Sequence, residues 1–158
     1  MIPVRSRNPD DQPWIEGVLL RLWGGRIIVV HGEAYDAGGL PALVAGDCQG
    51  LATFALADDR PYVELITLNA LVPRQGIGTA LVEALAAKLA ARGIGEIRLT
   101  MTNDNIDALR FYQRRGFRIA ALRPGAVDEA RRIKPSIPVI GNYGIPRHDE
   151  IEMVRVSG

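Results

Sequence analysis

One change of hydrophobic period, at a glycine turn near the middle of the chain, limits the fold more than any other feature. Tyr62 to Leu71 reads as a strand. It continues through Val72-Pro73-Arg74-Gln75-Gly76-Ile77 into a segment, Gly78 to Arg92, where Leu81, Val82, Leu85 and Leu89 recur at helical spacing. Gly93 is placed to cap that helix, and Glu96 to Met101 reads as a strand again. A strand, a helix and a strand in so short a space predict two parallel strands joined by a right-handed crossover.

The other elements follow from similar patterns. Val4 to Asp11 is a short strand running into a turn, with Asp10 or Asp11 placed to cap the next helix. That helix carries Trp14, Val18, Leu19 and Leu22 on one face and ends at Gly24-Gly25. Arg26 to Val30 is a β-branched strand; His31 to Leu40, with three glycines, reads as a loop. Pro41–Ala45, Gly50–Leu56 and Tyr62–Leu71 form an antiparallel meander, its second turn bracketed by Asp58, Asp59 and Pro61. After Met101 come a helix over Asn105–Arg115, a strand over Phe117–Leu122, a short helix over Ala126–Lys134 and a last strand over Ile151–Val156. The predicted fold class is α/β (α+β): a mixed, mostly antiparallel sheet with helices packed on it.

Composition serves mainly to exclude. A chain of 158 residues suits one domain, and a net charge of +1 gives no field to draw nucleic acid or an acidic membrane. The basic clusters Arg114-Arg115-Arg118 and Arg131-Arg132-Lys134 read as solvated helix faces. The single cysteine, Cys48, forms no internal disulfide and reads as a buried small hydrophobe. No signal peptide or membrane span is visible, so a cytoplasmic location is expected. Two histidines, His31 and His148, without ligand spacing make no metal site, and no Gly-x-Ser-x-Gly elbow suggests a serine hydrolase.

The glycine turn carries chemistry as well as topology. The first turn of a helix leaves backbone N–H groups unpaired, and the helix dipole favours an anion there. Gly76 and Gly78 remove side chains where a phosphate must approach, and Thr79 adds a hydroxyl. A pyrophosphate is the natural guest. A dinucleotide fingerprint would want a third glycine at Leu81, and a P-loop would want Gly-Lys-Ser/Thr; both are missing.

Downstream lies Asn105-Ile106-Asp107-Ala108-Leu109-Arg110-Phe111-Tyr112-Gln113-Arg114-Arg115-Gly116-Phe117. The ordered pair of stretches resembles the acetyl-coenzyme A signature of the GNAT superfamily. Gly76-Ile77-Gly78-Thr79 matches the family's glycine turn; Asn105, Ala108, Phe111-Tyr112 and Gly116-Phe117 match its second signature. The resemblance is clear from Tyr62 to Ile119. It implies the GNAT fold, with helices on both faces of the sheet and a splayed strand pair where Leu65–Leu71 and Glu96–Met101 diverge, and transfer of acetyl from acetyl-coenzyme A to an amine without a metal. The family's usual Gln or Arg three residues before the first glycine is replaced by Pro73, so Arg74 is expected to substitute, with backbone amides from Gln75 through Ala80 holding the pyrophosphate.

The resemblance also implies roles. Tyr112 would protonate the leaving thiolate. Glu64, at the start of the strand leading to the turn, would be the general base, sharing a face with Ile66 and Leu68. His31 and Glu33 are weaker candidates for the base, as is a chain of waters. Strand amides among Leu68, Ala70 and Leu71 would polarise the carbonyl, and Asn105, Ala108 and Phe111 would line the pantetheine arm. The irregular segment Arg131–Glu152 is expected to cover the acceptor site with the His31–Leu40 loop, or else to form a dimer contact. The competing reading is a module that holds acyl-coenzyme A without turnover. The acceptor amine is not named by any motif.

Overall fold

The computed structural model describes residues 1–57 and 59–157; Asp58, assigned above to a turn, lies outside the described residues. Nine strands and four α-helices follow in order: β1 Val4–Ser6, α1 Gln12–Trp23, β2 Ile27–Val30, β3 Glu33–Asp36, β4 Ala42–Ala45, β5 Gly50–Ala55, β6 Val63–Ala70, α2 Ile77–Ala90, β7 Glu96–Thr102, α3 Ile106–Gln113, β8 Arg118–Arg123, α4 Ala126–Ile133 and β9 Glu150–Val156. Seven strands form one sheet in the order β1-β4-β5-β6-β7-β9-β8, and β2 and β3 pair as a separate hairpin. All neighbours in the sheet are antiparallel except β6 and β7, which run parallel as the crossover requires. Their pairing covers only Val63↔Ile97, Glu64↔Arg98 and Leu65↔Leu99. Beyond Leu65 the two strands part, so the sheet is split between the two strands that the family resemblance implied would splay.

Two apolar cores lie on opposite faces of the sheet. On one, α2 seats Leu81, Val82, Leu85 and Leu89 against Leu43, Phe54, Val63 and Leu65, and α3 adds Tyr112. On the other, α1 and the β2–β3 hairpin bury Ile15, Val18, Leu19 and Ile28 against Ala42, Leu51 and Ile66. Burying these apolar side chains on each face supplies the main favourable term in folding.

Several local expectations need correction. In α1 Val18 and Leu19 are core as expected, but Ile15 joins them, Trp14 is only partly buried and Leu22 is exposed; the buried stripe is narrower than the apolar pattern. Asp11 does not cap α1 with its side chain. Asn8 caps the preceding 3₁₀ turn, and the Asp11 carboxylate accepts from the Asn8 N–H at 2.8 Å and from both Arg5 guanidinium nitrogens. The expected loop His31–Leu40 contains β3, because His31 and Gly32 take positive φ (42° and 79°), which closes a two-residue hairpin of matching twist. Cys48 is half-buried in the β4–β5 turn with φ 53°, not a core residue.

Candidate functional site

The parting of β6 and β7 opens a cleft of about 640 Å³ between the two core faces. Its walls come from the end of α1, from β2, from both splayed strands, from α3, and from residues 134–147. A smaller pocket of about 210 Å³ lies at the start of α2, lined by Ala70, Val72, Arg74–Thr79, Phe111 and Arg115.

The smaller pocket is built by the glycine turn. Gly76 caps α2 with φ 71°, a left-handed conformation that favours glycine. The first intrahelical bond runs from the Ala80 N–H to the Gly76 carbonyl at 3.0 Å. The amides of Ile77, Gly78 and Thr79 precede that bond and stand at the positive end of the helix. The expected contribution from the Ala80 amide is therefore corrected, since that amide belongs to the helix ladder. The Ile77 side chain is core, leaving only its backbone for the pocket. A Cβ on Gly78 would sit 3.0 Å from Phe111 Cζ, so this glycine lets α3 close onto α2. Arg74, expected to replace a missing side chain, is exposed with φ 62°, and it lines the pocket together with Gln75.

One cation here was read as part of a solvated face. Arg115 donates from Nε to Thr79 Oγ1 at 2.7 Å and from Nη1 to the Phe111 carbonyl at 2.8 Å, and its guanidinium lies 3.8 Å from the Phe111 ring centre. These contacts hold a positive charge against the helix start. The signal for it was its place one turn after Phe111, on the helix face that meets α2. Nothing in the Arg114-Arg115-Arg118 run separates it from its neighbours without that packing.

In the larger cleft, β6 carries a bulge. Thr53 pairs with Thr67 and Phe54 with Leu65, which leaves Ile66 without an opposite residue. The extra residue shifts the alternation. Leu65 and Leu68 face the α2 core, whereas Ile66 faces the α1 core. The expectation that Glu64 shares a face with Leu68 is thus corrected, because one inserted residue moves every later side chain to the other side. The backbone follows a parity of its own. The Leu71 N–H donates to the Gln49 carbonyl at 2.8 Å, so it is not free to polarise a carbonyl. By alternation Asn69 also points at β5, and the amides of Leu68 and Ala70 point the other way, into the gap beside β7. Leu68 lines the cleft and Ala70 the smaller pocket.

From α3, Asn105, Ala108 and Tyr112 line the cleft. Asn105 caps the helix, its Oδ1 accepting from the Ala108 N–H at 3.2 Å. Tyr112 is 8% exposed and packs edge-on against Phe111 and Phe117, with ring centres 5.1 and 5.2 Å away. Burial pushes its phenol pKa up.

The acidic end of the cleft differs from expectation. Glu64 is 5% exposed and does not line the cleft; His31 Nε2 lies 2.6 Å from its carboxylate. That hydrogen bond raises the His31 pKa, against burial, which lowers it. Glu33 is occupied on the hairpin surface, accepting from the Tyr35 hydroxyl at 2.9 Å. The carboxylate in the cleft wall is Glu150, 2% exposed, which accepts from the His31 N–H at 3.1 Å and from Arg123 Nε at 3.0 Å. Sequence reasoning missed it because it opens the last strand inside an acidic run, Asp149-Glu150-Ile151-Glu152, in which only the tertiary fold distinguishes one carboxylate from the next.

Residues 134–147 do lie over the cleft, where Lys134, Ser136, Ile137, Pro138, Asn142 and Arg147 form part of its wall. Two of the tethers come from the cluster read as a solvated helix face. Arg131 donates to the carbonyls of Ile137, Pro138 and Arg147, and Lys134 donates to those of Trp23 and Ile27. Arg132 alone in that cluster is solvated, paired with exposed Glu129. A third tether is Asp104, fully buried, which accepts from Thr102, from the Asn142 backbone and side chain, and from Arg147. Burial works to raise its pKa, and these hydrogen bonds outweigh it, so the group sits below the ordinary carboxylate range. Among the described residues no group of three or more His, Cys, Asp or Glu side chains is placed to hold a metal ion, and no helix is long and apolar enough to cross a membrane.

A strand pair that splays beside a glycine-capped helix is the arrangement that the acetyl-coenzyme A signature implied, and comparison with known proteins gives the class. Residues 10–117 match the model of the acetyltransferase (GNAT) family, and the chain belongs to that family. It is 38% identical over 137 residues to the uncharacterized protein YxbD of Bacillus subtilis (strain 168), covering 84% of this chain and 85% of that protein. It is 39% identical over 112 residues to the uncharacterized protein YdhI of the same organism, covering 71% and 69%. Among solved structures it superposes on an IAA acetyltransferase from Bacillus cereus ATCC 14579 with a TM-score of 0.74 at 16% identity, over 99% of both chains. A GNAT family acetyltransferase from Elizabethkingia anophelis, with acetyl-CoA bound, superposes with a TM-score of 0.68 at 17% identity, over 98% and 97%.

Proposed function

We propose that residues 1–158 act as one catalytic domain that transfers the acetyl group of acetyl-coenzyme A to an amine by direct attack. The observation that carries this reading is the succession of three features along the gap and the smaller pocket at the start of α2. Outward-facing amides of β6 and the Tyr112 side chain border the gap that begins at Leu65 and Leu99, and the free helix start of α2 borders the smaller pocket.

In this reading the pyrophosphate rests on the amides of Ile77, Gly78 and Thr79, with Arg115 and Arg74 supplying positive charge. The pantetheine arm runs along the gap past Ala70 and Asn105. The thioester oxygen accepts from the Leu68 or Ala70 amide, a preorganised donor where negative charge develops. The amine nitrogen bonds to the carbonyl carbon, the carbon–sulfur bond breaks, and the Tyr112 hydroxyl donates to the departing thiolate. A raised pKa keeps that phenol protonated until charge builds on sulfur in the same desolvated site. The ammonium proton leaves toward the acidic end of the cleft. Glu150 stands in the wall there, and His31, whose N–H it accepts from, carries the Glu64 carboxylate on its ring.

The test is release of free thiol from acetyl-coenzyme A across a panel of amines, after native mass spectrometry of the purified protein for retained coenzyme A. Retention with amine-dependent thiol release is the expected result. Retention without release by any amine would leave a binding module, and neither would overturn the assignment.

A further inference from the structure

Lys134 and Arg21 stand out in the cleft wall as cations without a counter-charge. Lys134 Nζ donates to the Trp23 carbonyl at 2.8 Å and the Ile27 carbonyl at 2.7 Å, and among the described residues no carboxylate lies within ion-pair distance. An ammonium has three donors, so one remains. Arg21 lines the same wall and makes no hydrogen bond or ion pair among the described residues. The other charges of the wall are matched: Arg147 by buried Asp104, and Glu150 by Arg123. Burial lowers the Lys134 pKa, the direction expected for a cation held without an anion.

Strand β2 measures the distance between these unmatched cations and the acidic end. Lys134 grips the carbonyl of Ile27 at its start, and Glu150 holds the N–H of His31 just past its end. From the carbonyl of Ile27 to the N–H of His31 the chain runs through three residues and a peptide bond, about 11 Å of strand. Subtracting one hydrogen-bond length of about 2.9 Å at each end leaves about 5 Å between the charges of a bound zwitterion.

We propose that the acceptor is a primary amine that also carries a carboxylate, the two groups separated by an extended chain of several bonds, with the carboxylate held by Lys134 and Arg21 and the amine presented at the Glu150 end. This rests on the transfer reading above and narrows it to a substrate class. An α-amino acid acetylated on its own α-nitrogen is too short to bridge the two ends.

The test compares 4-aminobutanoate, glycine and propylamine as acceptors, with wild type, Arg21→Ala and Lys134→Gln. Wild type is expected to prefer 4-aminobutanoate over both others by about tenfold or more in kcat/KM, the effect of a charge-assisted hydrogen bond. Each variant should raise the KM for 4-aminobutanoate by a larger factor than the KM for propylamine. Equal use of propylamine by wild type would overturn the proposal. So would a Lys134→Gln effect that falls equally on both amines, since a mere tether between α4 and β2 would act that way; exposed Arg21 provides a second variant that does not touch the tether. Calorimetry in the presence of coenzyme A separates the two readings. If no amine is acetylated yet 4-aminobutanoate binds and Arg21→Ala weakens it, the transfer reading falls and the carboxylate site stands. If no amine is acetylated and 4-aminobutanoate does not bind, the carboxylate site falls too.

Discussion

Tyr112 packs as a core aromatic and presents a hydroxyl to the cleft, and one substitution separates the two roles. Tyr112→Phe keeps both edge-on contacts with Phe111 and Phe117. If the hydroxyl assists thiolate departure, kcat should fall by roughly ten- to a thousand-fold, while the dissociation constant for acetyl-coenzyme A stays within about twofold. Thermal stability should hold, because that hydroxyl makes no hydrogen bond within the described residues. Normal turnover at saturating substrate would make Tyr112 a packing residue only. The His31–Glu64 pair gives a second prediction at this scale. Its hydrogen bond raises the His31 pKa above the ordinary 6.5, so the stabilisation it adds is full below that value and is lost as pH rises through the raised one. The melting-temperature gap between wild type and Glu64→Gln should therefore be largest below pH 6.5 and shrink as the solution becomes alkaline. A gap that grows with pH would show that the pair is not charged as a salt bridge. Tyr112 and Glu64 were legible as candidates from their motif positions, but the occupation of Glu64 by His31 was not, since it depends on a hairpin turn folding back across the sheet.

At the scale of the element, the start of α2 is where backbone and charge act together. Gly78→Asp would put a carboxylate at the helix start and a Cβ 3.0 Å from Phe111 Cζ, so the aromatic ring must shift as well. Acetyl-coenzyme A binding should weaken by tenfold or more on titration calorimetry, with some loss of stability from the displaced ring. Arg115→Gln isolates the electrostatic part. It should weaken acetyl-coenzyme A by about three- to thirtyfold and lower the salt dependence of binding, leaving the melting temperature nearly unchanged. Unchanged affinity in both variants would remove the pyrophosphate from this pocket. The strand–turn–helix was plain in the periodicity. The bulge at Ile66 was not, because it arises from how β5 and β6 pair and leaves no mark on β6 alone.

At the scale of the whole molecule, the stretch over the cleft is held by polar tethers rather than by an apolar core; Val139, Ile140 and Tyr143 within it are exposed. Asp104 is the tether with most at stake, because Arg147 ends on it and it has no access to water. Asp104→Ala should cost about 3–5 kcal/mol in chemical denaturation, the range for breaking one side of a buried pair. Hydrogen exchange should rise across residues 139–147, which rely on it. A change below about 1 kcal/mol would mean that the other bonds of the segment, from Arg131, Lys134, Asn103 and Tyr143, hold it without Asp104.

What the amino-acid sequence settled by itself was local: the helical spacing of α2, the strands either side of it, and the glycine turn that joins them. Each follows from side-chain periodicity and backbone freedom within a few residues. The family signature implied roles for Tyr112 and Asn105, which the Tyr112→Phe variant above puts to the test, because its spacing is tied to one helix and one strand. The partners across long sequence distances were decided only by the tertiary structure. Glu150 meets the His31 backbone across 119 positions and Lys134 meets Ile27 across 107. Those contacts exist because the hairpin β2–β3 and the segment after α4 converge on a gap that the sheet leaves open. Short-range pattern carries no record of which charged side chain will find itself beside which backbone group once two distant segments are brought together.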